Sequence, residues 1–377
     1  MSGGAEPVRG RLVLDDRVAP GRIVVEDGRI VTVELDDAEA GGPLIAPGYV
    51  DVHVHGWGGH DAMASAAALD GMARALLRRG VTSFLPTAVT APLAALFGFA
   101  ARTRAWLPGS PADGAAPLGF NIEGPFISPA RAGAQDPAAI AIPVDVDLAE
   151  LEPLLDGLRC MTVAPESPGA LALIGWLRDH GVVASAGHSA ATLDQARAGY
   201  AAGASSTTHL FNAMTGVDHH APGLAVAALV DDAAYVELIA DGFHVDPSVW
   251  PIIVRTKPAD RVVLVSDAVS LAGTDASRAT LGGLEVEVRD GRCTVVGGGQ
   301  LAGSIIALDS AVRNLVRSGV ALPAAVAAAG RNPLALLGIH DRGRIAVGQL
   351  AHLIELDDDL GVRRVCRSGP WLAGAAG

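Results

Sequence analysis

Two histidines one residue apart, His53 and His55, lie in the apolar run Val50-Asp51-Val52-His53-Val54-His55-Gly56. Side chains alternate along an extended strand, so both imidazoles face the same side. Two imidazoles side by side in apolar surroundings need polar partners, and one metal ion serves both. The same placement, a donor at the end of an apolar run, recurs four times. Glu123 ends Gly119-Phe120-Asn121-Ile122 ahead of Gly124-Pro125, which cannot continue regular structure. His188 follows Val182 to Gly187, His209 follows Ser205 to Thr208, and Asp267 ends Val262 to Ser266. Glu123 taken alone reads equally as a solvated loop carboxylate. Five strand ends carrying H-x-H, E, H, H and D, in a chain with 11 histidines, are a ligand set. Nitrogen and carboxylate donors in that mixture suit Zn²⁺ or Fe²⁺.

The elements carrying these residues must bring them to one place. Apolar runs of strand length, at 45–55, 83–86, 118–123, 160–164, 182–186, 207–210, 235–240 and 262–266, alternate with Ala- and Leu-rich helical stretches. Continuous apolar runs are what parallel strands covered by helices require. About eight such units predict an α/β fold closed as a (β/α)₈ barrel, whose strand carboxyl ends form the mouth where barrel active sites are built. From Val8 to about Glu34 short runs alternate apolar and polar residues, with Asp27-Gly28 as a tight-hairpin signal. Gly-separated runs return at 343–348 and 353–356. The two ends therefore predict one small β-sandwich domain, residues 1–45 with 339–377, attached to a barrel over 46–338. A second hairpin signal, Asp290-Gly291 within 281–292, reads as an insertion after the last barrel strand.

Composition limits the rest. A chain of 377 residues exceeds what a single core holds, roughly 250–300 residues, which agrees with one barrel and a small appendage. At 50% hydrophobic and 18% charged residues the chain has material for a large core and is not disordered. Lys+Arg of 28 against Asp+Glu of 41 leaves a net charge of −13, which disfavours nucleic acid and anionic membrane surfaces as partners. An anionic small substrate needs a local cluster of cations or imidazoles against that field. No stretch approaches the roughly 18 apolar residues of a membrane span, and MSGGAEPVRG lacks the apolar segment of a signal peptide, so the expected location is the cytoplasm. Cys160, Cys293 and Cys366 lie far apart and are expected as buried small hydrophobes. Lys257 is the only lysine, so Schiff-base chemistry, a phosphate-loop lysine and a carbamylated-lysine bridge all rest on it or are excluded.

The words around the candidate ligands resemble the amidohydrolase superfamily, and within it the N-acetylglucosamine-6-phosphate deacetylases. They are Ala46 to Gly56, Glu123-Gly124-Pro125-Phe126-Ile127-Ser128-Pro129, Gly187-His188-Ser189, Thr208-His209-Leu210-Phe211-Asn212-Ala213-Met214, Asp241-Gly242-Phe243-His244, Ser266-Asp267-Ala268 and Leu301-Ala302-Gly303-Ser304, in family order over nearly the whole chain. The HLFNAM and DGFH words are more specific than H-x-H, which many metal-dependent hydrolases share. The resemblance implies hydrolysis of N-acetyl-D-glucosamine 6-phosphate to D-glucosamine 6-phosphate and acetate in amino-sugar catabolism, by a homodimer with one or two divalent ions, Zn or Fe, per chain. It implies that Glu123, His188 and His209 hold the main metal, that His53 and His55 allow a second, and that Glu123 is the one candidate for a bridging group. It makes Asp267, counted also among the metal ligands, the general acid and base.

The same resemblance assigns the substrate to Ala134, Gln135, Asn212, Ala213, His220, Asp241, Gly242, Phe243, His244, Leu301, Ala302 and Gly303. Two positions depart from the family. Gln135 stands where many relatives place a histidine that polarises the acetyl carbonyl, a bond that an amide can also donate. His220 stands where an arginine commonly binds the 6-phosphate, and imidazole lacks the fork and permanent charge of guanidinium. His219 and His220 read equally as a polar loop pair. Two alternatives stay open: an amidohydrolase of another acetamido sugar, such as N-acetylgalactosamine 6-phosphate or an unphosphorylated one, or of a cyclic amide; and a non-catalytic sugar-binding scaffold. The scaffold is disfavoured because every proposed ligand and Asp267 are present.

Overall fold

The computed structural model describes residues 7–375. Eight parallel strands follow one another in consecutive order: β1 (Tyr49–Val54), β2 (Val81–Ala88), β3 (Phe120–Ile122), β4 (Leu158–Val163), β5 (Val183–Ala186), β6 (Ser206–Thr207), β7 (Tyr235–Leu238) and β8 (Val262–Leu264). Helices cover them outside. The first, Ala66–Arg78, shows why: Ser65 caps it by accepting from the Ala68 N–H, and Leu69, Met72, Ala73, Leu76 and Leu77 form a buried stripe at helical spacing. Each large side chain so buried contributes about 1.5–3 kcal/mol.

Inside the ring, Val50, Val52, Leu85, Cys160, Val183, Ile239, Val263 and Val265 form one apolar cluster with Leu334 and Leu337. This floor lies beneath the polar strand ends. The gap between β8 and β1 is joined at the mouth, where the Asp267 N–H donates to His53 O at 2.9 Å and the His55 N–H to Ala268 O at 2.8 Å. The barrel thus closes through the backbone of three candidate site residues.

The run 45–55, read as one strand, divides at Gly48. Leu44–Pro47 belongs to a seven-stranded sheet in the order Trp371–Ala373, Val362–Arg367, His352–Leu356, Leu44–Pro47, Val8–Val13, Val18–Glu26, Arg29–Leu35. A Cβ at Gly48 would lie 2.2 Å from the Thr82 side chain, so only glycine lets the chain pass from this sheet into the barrel. Val33 and Trp371, from opposite ends of the strand order, pack on one cluster of Leu12, Ile23, Ile30, Ile45, Leu353 and Cys366. The sheet therefore folds over itself as a β-sandwich. Asp27 and Gly28 both take positive φ, 47° and 73°, as the tight hairpin requires.

The hairpin expected after the last barrel strand is three-stranded: Arg278–Leu281, Leu284–Arg289 and Arg292–Val295. Leu281, Val286 and Cys293 bury against Val89, Val269, Leu271 and Ala302, which brings the following loop over the barrel mouth. All three cysteines are free and buried. Lys257 is buried too, and its Nζ donates to Ala228 O at 3.0 Å and to Asp231 O, the carboxyl end of the helix Leu224–Val230. The only lysine is a helix cap. Among the described residues no helix is long and apolar enough to cross a membrane.

Candidate active site

Five barrel strands deliver their terminal side chains to one point. His53, His55, Glu123, His188, His209 and Asp267 are all buried, none more than 6% exposed. Glu123 is at the centre. Its Oε1 lies 3.0 Å from His188 Nε2 and 2.8 Å from His209 Nε2. Its Oε2 lies 3.2 Å from His55 Nε2, and Oε1 is 3.5 Å from His53 Nε2. Asp267 Oδ1 faces the same pair, 3.1 Å from His55 Nε2 and 3.5 Å from His53 Nε2. Two triads sharing Glu123 have the geometry to hold an ion, His53–His55–Glu123 and Glu123–His188–His209.

The donor chemistry fits a cation. His188 and His209 point their Nε2 atoms at one another at 3.1 Å, as His53 and His55 do at 3.3 Å. The outer nitrogens explain why. His55 Nδ1 is 3.1 Å from Thr87 O and His188 Nδ1 is 2.9 Å from Arg131 O. A carbonyl only accepts, so Nδ1 carries the hydrogen and Nε2 is the nitrogen left to face a cation. His53 Nδ1 is held at 3.0 Å by Glu237 Oε2, a carboxylate–histidine pair of the kind that orients metal ligands.

Charge balance agrees. Burial alone would raise the Glu123 carboxyl, but the imidazoles of His53 and His188 outweigh it and hold it well below the usual carboxylate range. Burial opposes charge on His55 as well, yet Asp267 and Glu123 push it up to about 9. The carboxylates thus favour positive charge at the inner ring nitrogens, a charge that a divalent ion would supply.

Three of the strand-end residues have left-handed backbones: His188, His209 and Asp267, at φ 46°, 28° and 50°. For non-glycine residues this costs about 1–2 kcal/mol each, and the surroundings enforce it. The His209 N–H donates to Glu237 Oε2 at 3.1 Å, and Asp267 O accepts the Ser304 N–H at 2.7 Å. Glu166 accepts from Ser189 Oγ and the Ala190 N–H, fixing the turn after His188. Spacing does not single out Glu237, Glu166 or Thr90. For Glu237 a signal existed, a lone acid inside the apolar run Tyr235–Ala240.

Above the ligands lies a cavity of about 230 Å³ lined by His55, Glu123, His188, His209 and Asp267 together with Gly133, Ala134, Gln135, Asn212, Ala213, His244, Leu281, Gln300, Leu301 and Gly303. Seven of the expected substrate residues are thus brought together. Ala302 is fully buried in the cluster under the hairpin, and Asp241 stands behind His244, its Oδ2 2.7 Å from Nδ1. Gly242 and Phe243 border a neighbouring hollow with Arg292, whose guanidinium lies 4.8 Å over the Phe243 ring. His220 is not at the cavity: it is exposed on its loop, its ring 3.8 Å from that of His219. The Gln135 amide is engaged with Thr90 and Glu123.

Barrel, shared carboxylate and strand-end histidines define a metal-dependent hydrolase class, and the chain belongs to the Amidohydrolase family, which it matches over residues 44–372. It is similar to N-acetylgalactosamine-6-phosphate deacetylase of Escherichia coli O157:H7, 39% identical over 375 residues, covering 96% of this chain and 94% of that one. It is 37% identical over 341 residues to N-acetylglucosamine-6-phosphate deacetylase of Danio rerio, covering 86% and 83%. A solved mutant of N-acetyl-D-glucosamine-6-phosphate deacetylase from Mycobacterium smegmatis, in complex with N-acetyl-D-glucosamine-6-phosphate, superposes with a TM-score of 0.90 at 34% identity, covering 98% of this chain and 99% of that one.

Proposed function

We propose that this chain hydrolyses the acetamide of N-acetyl-D-glucosamine 6-phosphate to D-glucosamine 6-phosphate and acetate, using Zn²⁺ or Fe²⁺, one or two ions per chain. The observation that carries this reading is the convergence of six buried donors on the floor of a cavity of about 230 Å³. Glu123, His188 and His209 would hold the first ion, and His53 and His55 with Glu123 a second. A bound divalent ion supplies polarisation of the acetyl carbonyl and a lowered pKa for the attacking water.

Asp267 supports the proton transfers. It is the one cavity carboxylate that does not bridge the two triads, and it faces the open space above them. It takes a proton as water oxygen adds to the acetyl carbon, then returns it to the nitrogen as the C–N bond breaks. His244, fixed by Asp241, and Asn212 with Ala213 are the groups we assign to the sugar phosphate within one chain. The reading includes a cytoplasmic homodimer, to be checked by sedimentation and cell fractionation.

A second reading concerns the epimer. The 39% identity to a galactosamine-type enzyme supports N-acetyl-D-galactosamine 6-phosphate as an alternative substrate. The test is kcat/KM for both phosphorylated epimers and for unphosphorylated N-acetylglucosamine, with metal content measured on the same sample. Highest kcat/KM for the gluco 6-phosphate is expected. Preference for the galacto epimer would transfer the assignment, and no preference for phosphate would overturn the substrate class.

A further inference from the structure

We propose that Gln135 is a positioning residue that holds the Oε2 side of Glu123 and thereby sets the affinity of the second ion site, the one formed with His53 and His55. This rests on the metal-dependent reading above. The Thr90 N–H donates to Gln135 Oε1 at 2.8 Å. A backbone N–H can only donate, so that end of the amide must be oxygen. The other end is then the NH₂ group, 2.5 Å from Glu123 Oε2, which can only accept. Gln135 is 7% exposed, which limits competition from water for these bonds.

Thr90 grips Glu123 a second time, because its Oγ1 donates to Glu123 O at 2.8 Å. Gly124 makes room for that grip: at φ 100°, a Cβ there would lie 2.1 Å from Thr90 Oγ1. Backbone and side chain of the shared ligand are thus fixed from one residue, directly and through Gln135. The carboxylate oxygens have different neighbours. Oε1 faces His188 and His209 and lies 3.5 Å from His53 Nε2, whereas Oε2 faces His55 and Gln135. Loss of the amide frees the carboxylate to rotate, and the oxygen displaced is the one turned towards His55.

An N–H bond to Oε2 also draws electron density from it, which would weaken it as a ligand. Orientation outweighs this, since removing hydrogen-bond partners of ligating groups typically costs about 10–100-fold in metal affinity. The experiment equilibrates the full chain with buffered Zn²⁺ and counts bound metal per chain against free Zn²⁺. Gln135→Leu should weaken the second ion about 10-fold or more while leaving the first within about 3-fold. Gln135→His should restore it, because a neutral imidazole has one acceptor nitrogen for Thr90 and one N–H for Glu123.

Unchanged affinity for both ions in the Leu variant, with kcat lost, would place the amide on the substrate and overturn the proposal. So would equal weakening of both ions, or a His variant as weak as the Leu variant. A wild-type chain that binds no Zn²⁺ at any concentration would instead overturn the metal reading itself.

Discussion

At the residue scale, two carboxylates next to the same histidines are expected to respond differently. Asp267 touches the ligand pair from the cavity side, whereas Glu237 lies behind it and accepts from both His53 Nδ1 and the His209 N–H. Asp267→Asn keeps shape and removes the proton acceptor, so turnover should fall by about 10²–10⁴ with metal still bound. Excess metal should not restore it. Glu237→Gln removes the charge that orients His53, so metal affinity should fall about 10–100-fold. In that variant kcat should recover when metal is in excess. Steady-state rates at limiting and saturating Zn²⁺ separate the two; turnover by the Asn variant within a few fold of wild type would move the acid and base to another group.

At the element scale, strands place the donors but the connections hold them. Lys257 illustrates a cation that sequence offers to chemistry and the fold uses for a helix end. Its Nζ satisfies the carbonyls of Ala228 and Asp231, which the helix Leu224–Val230 cannot pair internally. Burial lowers its pKa, so part of the stabilisation is spent on desolvation. Lys257→Met should cost about 1.5–3 kcal/mol, the range for a hydrogen bond to a charged group. Thermal unfolding should shift down by a few degrees while kcat/KM stays at the wild-type value. A lost activity with unchanged Tm would return this lysine to the catalytic candidates.

At the scale of the whole molecule, the terminal sheet and the barrel meet at Gly48, whose N–H donates to His352 O at 2.9 Å. His352 is 5% exposed; burial, then the charges of Arg342 and Arg367, push its pKa down to about 3 against the ordinary 6.5, with Asp341 opposing weakly. The folded value lies below the unfolded one. Between pH 6.5 and 3 the unfolded chain therefore binds a proton that the folded chain refuses, and stability is lost as pH falls through that window. His352→Gln cannot titrate, so its Tm should decline less than that of wild type between pH 7 and pH 4.5. Parallel decline of the two proteins would assign the acid sensitivity to other groups.

What the sequence determined is what local pattern encodes. Apolar runs of strand length, each ended by a donor, specify both the barrel and which side chains reach its mouth, because strand ends and active sites coincide in that architecture. The Asp27-Gly28 and Asp290-Gly291 turns were legible for the same reason, since positive φ is a property of a few residues. Tertiary structure decided the relations between distant residues. The division of the run 45–55 at Gly48 depends on Thr82 across the boundary, which no periodicity reveals. Glu237 behind His53, Gln135 on Glu123, and Lys257 on a helix end are all pairings across the fold. His220, placed beside the substrate by resemblance, lies on an exposed loop away from the cavity. Residue type and spacing tell which groups can do chemistry; only packing decides which hydrogen bonds they have already made, and so which remain for a metal or a substrate.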